Sequence, residues 1–198
     1  MDHSANQIVL RGTLAELPRF SHENHEKRFY QFPLEVERLS GAVDVLPVLV
    51  PEPVLCAMDL SGGTMLEVQG QIRTFNSRGS GRKLVISVYA ETLTACEGDP
   101  VNEVLLTGTV CKEPVYRQTP LGREICDVML AVNRPYHRAD YIPCIFWGRM
   151  AAQLSGTAVG STVQLTGRLQ SREYRKVLEN AVEVRTAYEV SAMTAELV

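Results

Sequence analysis

The chain repeats itself. Asn6-Gln7-Ile8-Val9-Leu10-Arg11-Gly12-Thr13-Leu14 matches Asn102-Glu103-Val104-Leu105-Leu106-Thr107-Gly108-Thr109-Val110 at an offset of 96 residues. Without a gap, the same offset carries Pro18 onto Pro114, Phe20 onto Tyr116, and Leu34-Glu35-Val36-Glu37-Arg38 onto Leu130-Ala131-Val132-Asn133-Arg134. It also carries Asp44 onto Asp140 and Pro47 onto Pro143. One residue of slippage then sets Leu66-Glu67-Val68-Gln69-Gly70 on Val163-Gln164-Leu165-Thr166-Gly167. Chance does not hold one offset that long. The chain reads as two copies of one domain, residues 1–97 and 101–198, joined by the short turn-forming stretch Cys96-Glu97-Gly98-Asp99-Pro100.

Each copy opens with strict alternation, Ile8, Leu10, Gly12, Leu14 and again Val104, Leu106, Gly108, Val110. A period of two means a strand with one buried face, and the glycine inside it predicts a bulge or bend. A turn-rich stretch follows, then strands over Ile125–Asn133 and Asp140–Trp147 in the second copy. Short helical pieces are expected at Pro53–Leu60 and Arg149–Leu154, closed by Gly62-Gly63 and Gly156. Two more strands, Thr162–Tyr174 and Val184–Thr194 in the second copy, complete the unit. Five strands with a helix between the third and fourth is the order of an OB-fold, so the expected class is all-β, two tandem five-stranded barrels. Another small barrel or sandwich has the same periodicity.

Composition narrows the function. No apolar run is long enough to span a bilayer as a helix, and Met1-Asp2-His3-Ser4 does not open a signal peptide. The five cysteines stand far apart without a CxxC pair, which excludes zinc-finger spacing and fits reduced thiols in a cytoplasm. The net charge of −3 is unevenly shared: −4 over residues 1–100 and +1 over residues 101–198. His22 and His25 sit in Ser21-His22-Glu23-Asn24-His25-Glu26-Lys27, which superficially resembles a metal-binding cluster but reads better as a solvated hairpin loop. No phosphate loop, paired carboxylates or nucleophile constellation is present, so neither a catalytic role nor a cofactor is expected.

The chemistry concentrates on the second copy. On its third strand Ile142, Cys144 and Phe146 share the core face, and Tyr141, Pro143, Ile145 and Trp147 share the other. Such an outer face is either covered by a second layer or used as a stacking platform. On the fourth strand Val163, Leu165 and Leu169 point inward, and Arg168, Arg172 and Tyr174 point outward. Arg134, Arg138, Arg149, Arg175 and Lys176 lie in or beside the neighbouring loops. Guanidiniums that neutralise phosphates, interleaved with rings that stack on bases, are what a single-strand groove needs. At the matching positions the first copy has Val45 for Tyr141, Pro51 for Trp147, Gln71 for Arg168, Phe75 for Arg172 and Ser77 for Tyr174. It keeps Arg73, Phe75, Arg78, Arg82 and Lys83, a set suited to weak contacts at most.

The second copy resembles the DNA-binding domain of bacterial single-stranded DNA-binding proteins. The resemblance rests on Asn102–Val110, on Leu130–Arg134, on Ala139-Asp140-Tyr141-Ile142-Pro143-Cys144-Ile145-Phe146-Trp147-Gly148-Arg149-Met150-Ala151, and on Gly160–Leu169. The first copy is similar only in strand order and opening motif. The resemblance implies an OB-fold that binds single-stranded DNA without reading bases, with stacking rings at Trp147, Tyr141, Tyr136 and Tyr174. It implies four OB-folds per assembly, hence a homodimer of this tandem chain, and a place in replication, recombination or repair in a bacterial cytoplasm, on the nucleoid. The family's acidic-tipped tail is not expected after Ala195-Glu196-Leu197-Val198. In that respect the chain is similar to primosomal replication protein N. The alternative reading is a primosome-type or accessory scaffold whose OB surfaces bind protein, with DNA binding weak. RNA is not distinguished from DNA, because stacking accepts any base.

Overall fold

Alternating apolar residues make the strands of this protein, and their pairing closes two barrels. The structure is a computed structural model and describes residues 5–77, 83–178 and 181–198. The first barrel contains β1 (Asn6–Leu14), β2 (Arg19–Asn24), β3 (Lys27–Glu37), β4 (Val43–Pro51), α1 (Glu52–Leu55), β5 (Met65–Asn76) and β6 (Leu84–Ala95). The second contains β7 (Val101–Val110), β8 (Val115–Gln118), β9 (Glu124–Arg134), β10 (Arg138–Trp147), α2 (Arg149–Ser155), β11 (Thr162–Leu178) and β12 (Ala181–Leu197). In each barrel the opening strand pairs with two others, β1 with β5 and β3, and β7 with β11 and β9. A short parallel pairing, β4 to β6 and β10 to β12, completes the closure. This is the tandem OB-fold that the strand order predicts.

The inward positions are those the alternation marks. Leu10, Leu34, Leu46, Val68 and Val88 are fully buried in the first barrel, and Leu106, Leu130, Ile142, Phe146 and Leu165 in the second. Burial of each such side chain contributes about 1.5–3 kcal/mol. Gly12 lies where β1 leaves β5 for β3, and a Cβ there would stand 2.3 Å from the Glu35 carbonyl oxygen. The bend expected at this glycine is therefore a close approach of two backbones.

Two expectations need correction. The first helical piece is one turn, Glu52–Leu55, not Pro53–Leu60. Met58 and Leu60 still pack on the core, but Ala57 and Asp59, which alternate with them, are exposed, a pattern that a turn satisfies and a helix does not. The turn-rich stretches, in turn, contain the strands β2 and β8. Their side chains are almost all exposed, so no period marks them in the sequence. His22 is consequently in a strand, and His25 and Glu26 make the turn with φ of 49° and 62°.

The two barrels join through their opening strands. β1 pairs antiparallel with β7, with Ile8 opposite Val104, its own repeat equivalent. A local two-fold axis therefore passes between these residues, and one 12-stranded sheet runs through the chain. The pairing removes two exposed sheet edges.

The same symmetry places a buried carboxylate at each of two seams. Asp44 of β4 accepts from the Ser171 N–H of β11 at 2.8 Å and from Arg38 Nε at 2.7 Å. Asp140 of β10 accepts from the Thr74 N–H of β5 at 2.7 Å and from Arg73 Nη1 at 3.0 Å. Burial pushes the Asp44 carboxyl up, but the Arg38 guanidinium and the Ser171 donors more than reverse this, leaving it below the usual carboxylate range. A carboxyl with a depressed native pKa stabilises the fold in its ionised form. Its contribution should be complete above about pH 4 and vanish as the pH falls through the native value. Unfolding free energy measured against pH should drop in that acid range, and Asp44→Asn should flatten the drop.

Candidate nucleic-acid interface

The outer face of the second barrel is built by β10, β11 and β12. Val163, Leu165 and Leu169 fill the core, so Arg168, Gln170, Arg172 and Tyr174 turn outward. Val190 does the same on β12, which turns Glu189 and Ser191 outward. Trp147 is half-buried at the end of β10, and its indole N–H donates to the Ser191 hydroxyl at 3.0 Å. That bond ties the edge of the ring to β12. The Arg172 guanidinium lies 5.9 Å from the Tyr174 ring centroid, a cation stacked on an aromatic face. Tyr141 is 47% exposed, and Tyr136, at the tip of the β9–β10 hairpin with φ of 64°, is 92% exposed.

The cations divide into two groups. Arg138, Arg149 and Arg175 are exposed, with no ion-pair partner among the described residues. Arg168 is half-buried, and its Nε has no hydrogen-bond partner among the described residues. Arg134 turns back to Asp140 at 3.4 Å, at the seam between the barrels. Arg73 of the first barrel does the same at 3.0 Å. Both guanidiniums keep part of their surface in solvent, 22% for Arg73 and 29% for Arg134. Arg78, Arg82 and the Lys176 side chain lie outside the described residues. Lys83 is exposed, and so is Phe75, at 56%.

Two features of this face were not legible in the sequence. Ile145 sits on the outward side of β10 yet is buried, so the platform is interrupted there. Glu189 is only 8% exposed although it faces outward, because Gln170 Nε2 donates to it at 2.9 Å and Arg172 Nε stands 3.7 Å away. Arg172 is thus partly neutralised within the protein. Cys144 and Cys126 lie in the core, and burial pushes both thiols up, away from reactive thiolate. Among the described residues no group of three or more His, Cys, Asp or Glu is placed to hold a metal ion. No described helix is long and apolar enough to cross a membrane.

The first barrel carries rings that the position-by-position comparison overlooked. Tyr89 of β6 lies 6.5 Å from Phe29 of β3, and Phe29 stacks on His22 of β2 at 4.9 Å with the ring planes 16° apart. The Arg73 guanidinium stands 5.9 Å from the Tyr89 centroid. Pro51 replaces Trp147, but Phe29 is the cross-strand partner of Pro51, and Tyr89 occupies the place of Ser191. The aromatic surface has moved to the neighbouring strands at the same level of the barrel.

Residues 101–198 match the family described as the single-strand binding protein family. The second half of this chain belongs to that family. Single-stranded DNA-binding protein 1 of Staphylococcus aureus is 38% identical over 81 residues, which make up 37% of this chain and 48% of that protein. Single-stranded DNA-binding protein A of Bacillus subtilis is 37% identical over 81 residues, 37% of this chain and 47% of that protein. The chain spans about half the length of these curated relatives. Among solved structures, the wild-type single-stranded DNA binding protein of Thermus aquaticus superposes with a TM-score of 0.81 at 23% identity, over 98% of this chain and 93% of that one. That likeness shows a shared fold over both barrels. The matched residues include Trp147, Arg168, Arg172 and Tyr174.

Proposed function

We propose that this protein is a non-catalytic single-stranded DNA-binding protein whose second OB-fold supplies the main contact surface. Trp147, Tyr141, Tyr136 and Tyr174 stack on bases, and Arg138, Arg149, Arg168, Arg172 and Arg175 neutralise phosphates, with Lys176 alongside. One observation carries the reading: within the segment of family sequence, a half-exposed tryptophan and a ring-stacked arginine share one open sheet face. Binding of this kind serves replication, recombination or repair in a bacterial cytoplasm. Two chains make four OB-folds. The shallow cleft of about 440 Å³ beside the local two-fold axis, lined by Val9, Leu105 and the exposed Met193, suits such an isologous contact. The mass in solution should then be twice the 22.0 kDa of the chain.

Trp147 is the single tryptophan, so its fluorescence reports on this face alone. Titration with oligo(dT) should quench it. With Arg138, Arg149, Arg168, Arg172, Arg175 and Lys176 on phosphates, log affinity should fall against log salt with a slope of about −4. Trp147→Ala should weaken binding by about 10- to 100-fold. An unchanged signal, with no binding in a filter assay, would instead assign the OB surfaces to protein partners.

A further inference from the structure

We infer that a single strand crosses the seam at Asp140 and continues onto the first barrel, on the aromatic row Tyr89, Phe29 and His22. This inference rests on single-strand binding by the second barrel and names where the strand goes next. Three observations support it.

The surface is continuous. Tyr141 of the second barrel donates its backbone N–H to Thr74 Oγ1 of the first at 2.8 Å, which sets its exposed ring beside β5. Arg73 precedes Thr74, and its guanidinium leads to Tyr89 at 5.9 Å. Phe29 and His22 follow at ring separations of 6.5 and 4.9 Å. One cation, Arg73, stands between the Tyr141 ring and the row of three, where a backbone phosphate and its bases would each find a partner.

The two seams differ in charge. At Asp44 one carboxylate meets one guanidinium, Arg38. At Asp140 one carboxylate meets two, Arg73 and Arg134. A formal +1 is left at the second seam and none at the first, so a polyanion crosses at Asp140. The symmetry-related seam has Gln170 where this one has Arg73.

The rings are specific to the first barrel. At the same sheet positions the second barrel has Ser191, Ile125 and Arg117, the last paired with Asp127. The row is therefore not the repeat's inherited site but a separate one.

Those second-barrel residues supply the test. The full chain carrying Tyr89→Ser and Phe29→Ile receives side chains that the same fold accommodates in its other copy. An oligonucleotide of roughly 8 nucleotides, short enough for one barrel, should quench Trp147 as in the unsubstituted protein. One of about 30 nucleotides should bind about 10- to 100-fold more weakly than to the unsubstituted protein. Equal affinity of both proteins for the longer strand would overturn the inference and leave the second-barrel site intact. Loss of Trp147 quenching in the unsubstituted protein would overturn both. A readout independent of folding is photocrosslinking of the unsubstituted protein to an oligonucleotide carrying 5-iodouracil. Adducts on Tyr89, Phe29 or His22 are expected, and adducts confined to the second barrel would refute the path.

Discussion

Asp140→Ala should destabilise the protein by about 3 kcal/mol, seen as a lower denaturant midpoint at constant slope. Asp140 is fully buried and accepts from the Thr74 N–H, from Arg73 and from Arg134. Its removal leaves two guanidiniums without a counter-charge and one backbone donor without an acceptor. The arginine side chains are 22% and 29% exposed, so water recovers part of the loss, which places the effect at the lower end for a broken buried pair. Asp140→Asn keeps an acceptor for Thr74 and should cost less, about 1–2 kcal/mol. A change below 1 kcal/mol in the alanine variant would show that the β1–β7 pairing and the Asp44 seam hold the barrels without this carboxylate. Because Tyr141 and Arg73 are placed by this carboxylate, the variant should also weaken binding of long strands more than short ones.

Gly70→Ala should lower stability by a similar amount, about 3 kcal/mol, or roughly 6–12 °C in Tm for a chain of this size. A Cβ at Gly70 would stand 1.9 Å from the Tyr89 carbonyl oxygen and 2.9 Å from its carbon. Both are backbone atoms, so no side-chain rotation relieves the contact. Gly70 also lies at the register shift between β5 and β6, where the strand kinks to close the barrel. Gly62→Ala is the control, since a Cβ there meets nothing within 4 Å, and its Tm should barely move. Scanning calorimetry of the pair separates a steric cause from a general loss of glycine.

How much of this could be read from the chain depends on the range of the interaction. The opening motif marks Asn6 and Asn102 as equivalent, and each amide clamps its own barrel, Asn6 to Ile72 and Asn102 to Leu169. The offset also aligns Asp44 with Asp140 and Arg38 with Arg134, the charged residues that hold the seams. A repeat preserves whatever the fold needs twice, so these residues are visible before any coordinate. Period-two alternation likewise separates core from surface on β10 and β11, because neighbouring side chains on a strand must face opposite ways.

What the repeat could not show is which surface residues meet. Arg73 and Asp140 are 67 residues apart, and Phe29 and Tyr89 are 60 apart. Only the antiparallel β1–β7 pairing and the parallel β4–β6 closure bring them together. The comparison of copies looked for an aromatic at the place of Trp147 and found Pro51, whereas the rings had moved one strand to either side. Glu189 and Ile145 are buried on a face where alternation predicts exposure, for the same reason. The amino-acid order alone determined two OB-folds, their cores and the face richer in rings and arginines, all consequences of local period and repetition. Tertiary pairing decided which of the described arginines are held in ion pairs and where the first barrel keeps its rings, because those contacts cross from strand to strand rather than along them.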